Sequence, residues 1–150
     1  MGLFKKKEKF FFNAAEETSI IKAIREAEDQ SSGEIRVHVE PTCKGDTFER
    51  ALALFSELEM HRTALHNGVL FYLAYDDHKF SIVADEGINK VVPENFWEDI
   101  KDMMEAKFKK GEFISGLQQG IALTGQQLKK YFPHQAGGDK NELTDEVSKG

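Results

Sequence analysis

The side chains best suited to chemistry in this sequence lie where short apolar segments begin or end. Asp85 and Glu86 directly follow the apolar segment 79–84, and Glu34 follows Ser32 at the start of another such segment. Carboxylate, hydroxyl and amide oxygens are the hard ligands that Ca²⁺ and Mg²⁺ take in proteins. The sequence therefore offers ligands for a divalent cation if the fold brings these segments together.

Apolar patterning predicts three strands, near residues 34–40, 68–74 and 79–84. The first alternates apolar and polar side chains, as a half-buried strand does, whereas Val69 to Ala74 is an unbroken apolar run typical of a strand buried on both faces. The polar residues 76–79 between the last two strands predict a β-hairpin.

About four helices are predicted around these strands. Asn13 with Glu16, and Asp46 with Glu49, have the spacing of helix N-caps, and apolar residues recur at helical spacing after each pair. The second helix carries an apolar stripe of Phe48, Ala51, Leu52, Phe55 and Leu58. It lies between strands 34–40 and 68–74, so these strands should be parallel, with a right-handed crossover. The fold class is therefore α/β, a small mixed sheet with helices packed on it.

This topology predicts that three loops meet at one edge of the sheet. The starts of two parallel strands lie at the same edge, and strand 79–84 ends there because it runs back along its neighbour. The loops are 31–34, 61–67 and 85–89. The predicted site has Asp85, Glu86 and Glu34 as carboxylate ligands, Ser32 and Thr63 as neutral ligands, and Arg62, Asn67 and Asn89 as further lining residues.

The same residues allow a purely structural alternative. Arg62 would then form an ion pair with Asp85 or Glu34, and Gly87 would only make a turn. A divalent cation would relieve the repulsion between clustered acids, and Arg62 would do so without a cation. The sequence leaves both arrangements open.

Other catalytic patterns fail on spacing. Cys43 and Arg50 are separated by six residues, one more than in the short loop of cysteine phosphatases, and His61 and His66 lack the helical spacing of zinc proteases. There is no Gly-Lys-Ser/Thr loop and no Gly-x-Ser-x-Gly elbow. His38 belongs to the polar face of its strand, so we expect a solvated side chain there.

The bulk composition fits one domain. The chain has 150 residues, 40% of them hydrophobic, which suffices for a sizeable core. We assign residues 13–134 to this domain and residues 1–12 to a basic leader. Residues 135–150 contain few large apolar side chains, and we expect a disordered acidic tail.

Charge and hydropathy limit the partners and the location. A net charge of -6 argues against a nucleic-acid partner. No apolar run approaches the ~20 residues of a transmembrane segment, and the single Cys43 is compatible with a reducing compartment. We expect a cytoplasmic monomer.

Several motifs resemble the TPM-domain family, over roughly residues 10–134. They are Ser32-Gly33-Glu34-Ile35-Arg36-Val37-His38-Val39-Glu40, Met60-His61-Arg62-Thr63, Asn67-Gly68-Val69-Leu70, Asp85-Glu86-Gly87-Ile88, Phe96-Trp97 and Tyr131-Phe132-Pro133. The resemblance implies a Rossmann-like α/β/α sandwich and divalent-cation binding, chiefly of Ca²⁺, at the loop carboxylates. It also implies a link to acid phosphatase activity, which has been described for a plant chloroplast-lumen branch.

Two functions are expected. The first is a domain that binds Ca²⁺ or Mg²⁺ and presents a metal-ordered loop surface to a protein partner. The alternative is a metal-assisted acid phosphatase, in which the cation polarises phosphate oxygens and Arg62 neutralises charge. Many relatives carry a signal peptide and a C-terminal membrane helix. We find neither pattern here, which favours the binding domain.

Overall fold

The computed structural model describes residues 12–133 and 145–150, which form a four-stranded sheet with its helices. The elements in chain order are α1 (Ala14–Gln30), β1 (Glu34–Glu40), α2 (Thr47–Glu57), β2 (Gly68–Ala74), β3 (Lys79–Ala84), α3 (Glu86–Asn89), α4 (Glu98–Lys109), α5 (Phe113–Leu128) and β4 (Ser148–Lys149), with a 3-10 turn at Met60–Arg62. The predicted leader, apart from Phe12, lies outside the described residues.

The sheet confirms the predicted fold class. Its strand order is β3-β2-β1-β4. β1 and β2 are parallel, in a register that runs from Glu34 opposite Gly68 to Glu40 opposite Ala74, and β3 is antiparallel to β2. All seven residues of β2 are buried because the strand has neighbours on both sides and helices on both faces.

Two apolar layers cover the two faces of the sheet. On one face, Val37 and Phe71 belong to a core that includes buried residues of α1, α4 and α5. On the other face, Leu70 and Tyr72 belong to a second core with α2. The sheet between these layers makes an α/β/α sandwich.

The helix starts confirm the predicted caps. Asn13 Oδ1 accepts a hydrogen bond from Glu16 N at 2.7 Å, and Glu16 Oε1 accepts one from Asn13 N at 3.0 Å, which completes a capping box. Asp46 accepts from Glu49 N at 2.9 Å. These side chains satisfy backbone donors that have no partner within the helix.

The predicted apolar stripe of α2 is wrong at two positions. Phe48 and Leu52 are 47% and 43% exposed, whereas Leu54, which the stripe omitted, is buried with Ala51 and Phe55. A short helix with apolar residues on two sides can place either side against a sheet. Contact with β2 and β3 decides which side is buried here.

The prediction of a solvated His38 is also wrong. The side chain is only 3% exposed, and β1 is not the half-buried strand that was predicted, because all of its residues except Arg36 are buried. Its face of the strand is the one that α2 covers, where the imidazole stacks on Tyr72 with the ring centroids 5.8 Å apart. The imidazole nitrogens are hydrogen-bonded to Glu40 Oε1 at 3.0 Å and to Ser148 Oγ at 2.9 Å.

Glu40 is a buried carboxylate with a complete set of donors. Arg50 donates to both of its oxygens at 2.9 Å, and the Tyr72 hydroxyl donates at 2.5 Å. Burial alone would raise the pKa of Glu40. The hydrogen bonds from Arg50, Tyr72 and His38 outweigh this effect and hold the pKa at about 2. Glu40 is therefore ionised within the fold.

The prediction of a disordered tail is wrong for residues 145–150. We call these residues the C-terminal segment. The rest of the predicted tail, residues 135–144, lies outside the described residues. β4 pairs with β1 in parallel at His38 and Val39, and Val147 is buried, with only 7% of it exposed. Burying one valine contributes about 1.5–3 kcal/mol, whereas ordering each residue costs about 1–2 kcal/mol. Specific polar contacts must therefore hold this segment.

Glu28 connects α1, β1 and the C-terminal segment. Its Oε2 accepts a hydrogen bond from Ile35 N at 3.0 Å, and its carboxyl group is hydrogen-bonded to Asp145. Burial and the neighbouring Asp145 raise the pKa of Glu28 to about 9. Glu28 is therefore protonated at neutral pH.

Gly87 allows α3 to lie against the 61–67 loop. A Cβ atom at this position would overlap the carbonyl oxygens of Leu65 and His66. Both are backbone atoms, so a side chain could be accommodated only if the loop moved. The absence of a side chain at Gly87 therefore permits the close contact between the 85–89 and 61–67 loops.

We predict that Glu28→Gln makes stability less dependent on pH. The folded protein keeps the Glu28 proton while the unfolded chain releases it above its ordinary pKa of 4.5, so the free energy of unfolding should fall as pH rises from about 4.5 to about 9. Glutamine has a similar shape and does not titrate, so this decline should largely disappear. Urea unfolding at a series of pH values measures the effect.

Asp29→Asn is the matched control, because Asp29 is exposed on the same helix and the substitution is the same change of a carboxyl group to an amide. Its pH profile should run parallel to that of the unsubstituted chain. A parallel profile for Glu28→Gln would contradict the prediction.

We predict that Gly87→Ala lowers the free energy of unfolding by about 1–3 kcal/mol, because the 61–67 loop must move away from the new methyl group. Amide chemical shifts of residues 61–67 should change as well. Gly111→Ala is the comparison. Gly111 has open space around it and a φ of 78°, so only its own turn should be strained. Unmoved 61–67 amides in Gly87→Ala would contradict the prediction.

Candidate functional site

The three predicted loops do meet at one edge of the sheet. The Asn67 side chain donates to Ser32 O at 3.1 Å and to Ser32 Oγ at 3.3 Å, which joins the first two loops. Gly87 lies against Leu65 and His66, which joins the second and third. Because β1 and β2 are parallel and β3 returns along β2, the contacts follow from the topology.

Asp85 is the most unusual side chain at this edge. It is the N-cap of α3, and its Oδ1 accepts a hydrogen bond from Glu86 N at 2.8 Å. Its Oδ2 is buried and has no hydrogen-bond partner among the described residues. A buried carboxylate oxygen normally has a donor or a cation beside it, because its desolvation is otherwise uncompensated.

The imidazole of His66 lies beside this oxygen. Its Nδ1 lies 3.5 Å from Asp85 Oδ2, within reach of an ion pair but without hydrogen-bond geometry. The contact between these two atoms is therefore not a hydrogen bond. His66 has a φ of 50°, uncommon for a residue other than glycine, and its side chain is 48% exposed. Sequence spacing did not single out this residue, because only the fold brings it to Asp85.

The other two predicted carboxylates lie differently. Glu86 is exposed, whereas Glu34 is buried and its charge contributes to raising the pKa of Glu28 in α1. Within residues 12–133 and 145–150, no group of three or more His, Cys, Asp or Glu side chains is arranged to hold a metal ion. Asp85 is thus the one predicted carboxylate with a buried oxygen that lacks a partner in the described structure.

The neutral residues support the loops. Thr63 is buried, and its Oγ1 accepts a hydrogen bond from Asn67 N at 3.1 Å. Asn89 donates to Ala84 O at 3.0 Å, at the end of β3. Ser32 is partly buried and is held by Asn67. These contacts fix the loop backbones and leave hydroxyl lone pairs near the edge.

Arg62 does not form the ion pair with Asp85 or Glu34 that the structural alternative predicted. It forms an ion pair with Glu59 at 3.1 Å, and both side chains are 59% exposed. Glu59, two residues after the end of α2, is much nearer in sequence than Asp85 or Glu34. The ion pair of Arg62 is therefore with Glu59 and not with Asp85 or Glu34.

None of the described helices has the length and apolar content required to cross a membrane.

Comparison with known proteins places the chain in a family. The TPM-domain family model matches residues 6–127. The BA42 protein of the psychrophilic bacterium Bizionia argentinensis, solved by NMR, is 46% identical and superposes with a TM-score of 0.90, over 96% of this chain and 99% of that one. No curated protein matches the sequence.

Two more distant solved structures show the fold alone. The N-terminal domain of a P. gingivalis protein is 22% identical with a TM-score of 0.68, over 83% of this chain and 82% of its own. The N-terminal domain of cg2496 from Corynebacterium glutamicum is 9% identical with a TM-score of 0.63, over 98% and 92%. The family match and the 46% identity to the BA42 protein agree with the motifs at residues 32–40 and 85–88, and the chain belongs to the TPM-domain family.

Proposed function

We propose that the protein binds a divalent cation, Ca²⁺ or Mg²⁺, at the converging loops. The observation that carries the proposal is the buried Oδ2 of Asp85, which has no hydrogen-bond partner among the described residues. A cation beside this oxygen would compensate its desolvation. Hard cations accept carboxylate, hydroxyl and carbonyl oxygens in one site, so a cluster of three acids is not required.

Asp85 is the central ligand in this proposal. Ser32 and Thr63 contribute hydroxyl oxygens, and water completes the coordination. Glu86 is exposed at the next position, so rotation of its side chain can bring a second carboxylate to the ion. Glu34 adds negative charge from its buried position. With one fixed carboxylate we expect weak binding, with a Kd of about 10⁻⁴–10⁻³ M.

The bound ion would order a surface for a protein partner. Leu65, in the 61–67 loop, is 49% exposed, and Val91, which follows α3, is 50% exposed. Large apolar side chains exposed beside a ligand site are suited to partner contacts. We further propose that the protein is a cytoplasmic monomer, on the basis of its acidic composition and single free cysteine.

We predict that Ca²⁺ and Mg²⁺ produce saturable shifts in a ¹H–¹⁵N NMR titration, confined to residues 31–34, 61–67 and 85–89. Asp85→Asn should abolish them, because it removes the charge of the central ligand while keeping the shape of the cap. Asp76→Asn is the matched control. Asp76 is exposed in the hairpin at the opposite end of β2, and its loss should leave the titration unchanged.

Scattered shifts that rise linearly with ion concentration would contradict the proposal. So would saturable loop shifts that persist in Asp85→Asn.

A metal-assisted acid phosphatase is the second candidate, and one observation favours it. His66 is half-exposed beside Asp85, where an imidazole is able to transfer a proton to a leaving group. Against it, Arg62 is paired with Glu59 rather than directed to an anion site. The binding domain therefore accounts for more of the geometry.

We predict no hydrolysis of p-nitrophenyl phosphate above the buffer rate, with either cation, between about pH 5 and pH 8. The reason is that the described loops carry no assembled nucleophile and no unpaired arginine. Metal-dependent turnover that falls at least about 100-fold in both Asp85→Asn and His66→Gln, with the fold intact, would instead establish the phosphatase.

A further inference from the structure

The C-terminal segment lies in a groove that differs from the cation site. Arg25 and Glu28 of α1 form one wall of this edge groove, and the outer edge of β1 from Ile35 to Val39 forms the other. The converging loops lie at the start of β1, whereas β4 pairs near its end. An inference about the groove is therefore independent of the proposed function.

Four side chains of the C-terminal segment are held by different kinds of contact. Asp145 accepts a hydrogen bond from Arg25 Nε at 3.2 Å and is only 8% exposed, and Val147 is buried in the core. Ser148 Oγ is hydrogen-bonded to His38 Nδ1 at 2.9 Å, and Lys149 Nζ donates to Glu17 at 2.8 Å. The groove thus distinguishes an acid, an apolar residue, a hydroxyl and a lysine.

The backbone of the C-terminal segment also forms hydrogen bonds, and these do not depend on which side chains the segment carries. Gly150 N donates to Val39 O at 2.9 Å, and Arg36 Nε donates to Glu146 O at 3.4 Å. The ladder between β4 and β1 contains only two residue pairs. An extended peptide that adds a strand to a sheet edge is bound in the same way, with backbone hydrogen bonds for affinity and side-chain pockets for specificity.

Much of the packing in the rest of the domain does not involve this segment. β1 pairs with β2 along all seven of its residues, and α1 packs against α5. The segment contributes one buried valine, so the free-energy balance given above is marginal. These are the properties of a ligand held within the same chain.

We propose that the edge groove is a peptide-binding site, occupied here by the chain's own C-terminal segment. The partner that it fits is an extended segment of another protein, parallel to β1, with the pattern Asp-x-Val-Ser/Thr-Lys. A lysine at the first position would face Arg25, and a charged residue at the third would enter the core. A hydroxyl group at the fourth would form the hydrogen bond with His38 that Ser148 forms here.

The test uses the full chain carrying Val147→Asp, labelled with ¹⁵N, so that the internal ligand is weakened. The unlabelled peptide Asp-Glu-Val-Ser-Lys-Gly is then added, and the His38 and Val39 resonances are followed. We expect them to return saturably to their positions in the unsubstituted chain. A control peptide with the D145K substitution should bind at least tenfold more weakly.

Three results would overturn the proposal. These are loss of the folded spectrum in Val147→Asp, which would make the segment part of the core; no saturable return with the peptide; and equal binding of both peptides. Light scattering on the unsubstituted chain provides a further test. A dimer that forms with increasing concentration and exchanges the C-terminal segment would assign the groove to a second copy of this chain rather than to another protein.

Discussion

The parallel pairing of β1 with β2 is the constraint on which the rest of the structure depends. Seven residues of one strand lie opposite seven of the other, from Glu34 with Gly68 to Glu40 with Ala74. A parallel pair requires a crossover connection, which α2 provides on one face of the sheet. The same pairing places the starts of both strands together, and the β2–β3 hairpin returns the end of β3 to that edge. The loop site is thus a consequence of strand direction.

Three carboxyl groups in this small domain illustrate different responses to burial. Glu40 stays ionised because Arg50, Tyr72 and His38 donate to it, which holds its pKa at about 2. Glu28 lies beside another acid and keeps its proton, with a pKa of about 9. Asp85 differs from both, because one of its oxygens is buried and lacks a hydrogen-bond partner in the described structure. This difference distinguishes a candidate ligand from structural acids of the same residue types.

The sheet has two edges, and β1 would expose one of them without the C-terminal segment. A free strand edge invites pairing with other chains, and proteins commonly cover or block it. Here Glu28 accepts the Ile35 N–H, and β4 pairs with His38 and Val39 farther along the strand. The C-terminal segment covers only a short part of this edge and is held there mainly by polar contacts. An edge protected in this way remains able to accept an alternative strand, whereas the interior of the sheet is fixed by its two apolar layers.

Local pattern was sufficient for most of the fold and for the convergence of the three loops. The apolar run in β2, the Asn13 and Asp46 caps and the order strand, helix, strand are properties of neighbouring residues, and each predicts its element correctly. The fold class and the convergence of the three loops follow from these elements together with the handedness of the crossover. Asp85 can also be identified as a candidate ligand from the sequence, because it is the carboxylate that directly follows the apolar segment of β3.

Only the tertiary structure decided which polar residues became buried and which partners they met. His38 is one of the polar residues that alternate with apolar ones along β1. Its burial depends on α2 and on the C-terminal segment, in which Ser148 is 110 positions away in the sequence. The protonation of Glu28 and the contact of His66 with Asp85 likewise depend on residues distant in sequence. Strand and helix formation is set by short-range periodicity and capping. Burial and charge pairing are set by packing across the whole domain, which no local pattern encodes.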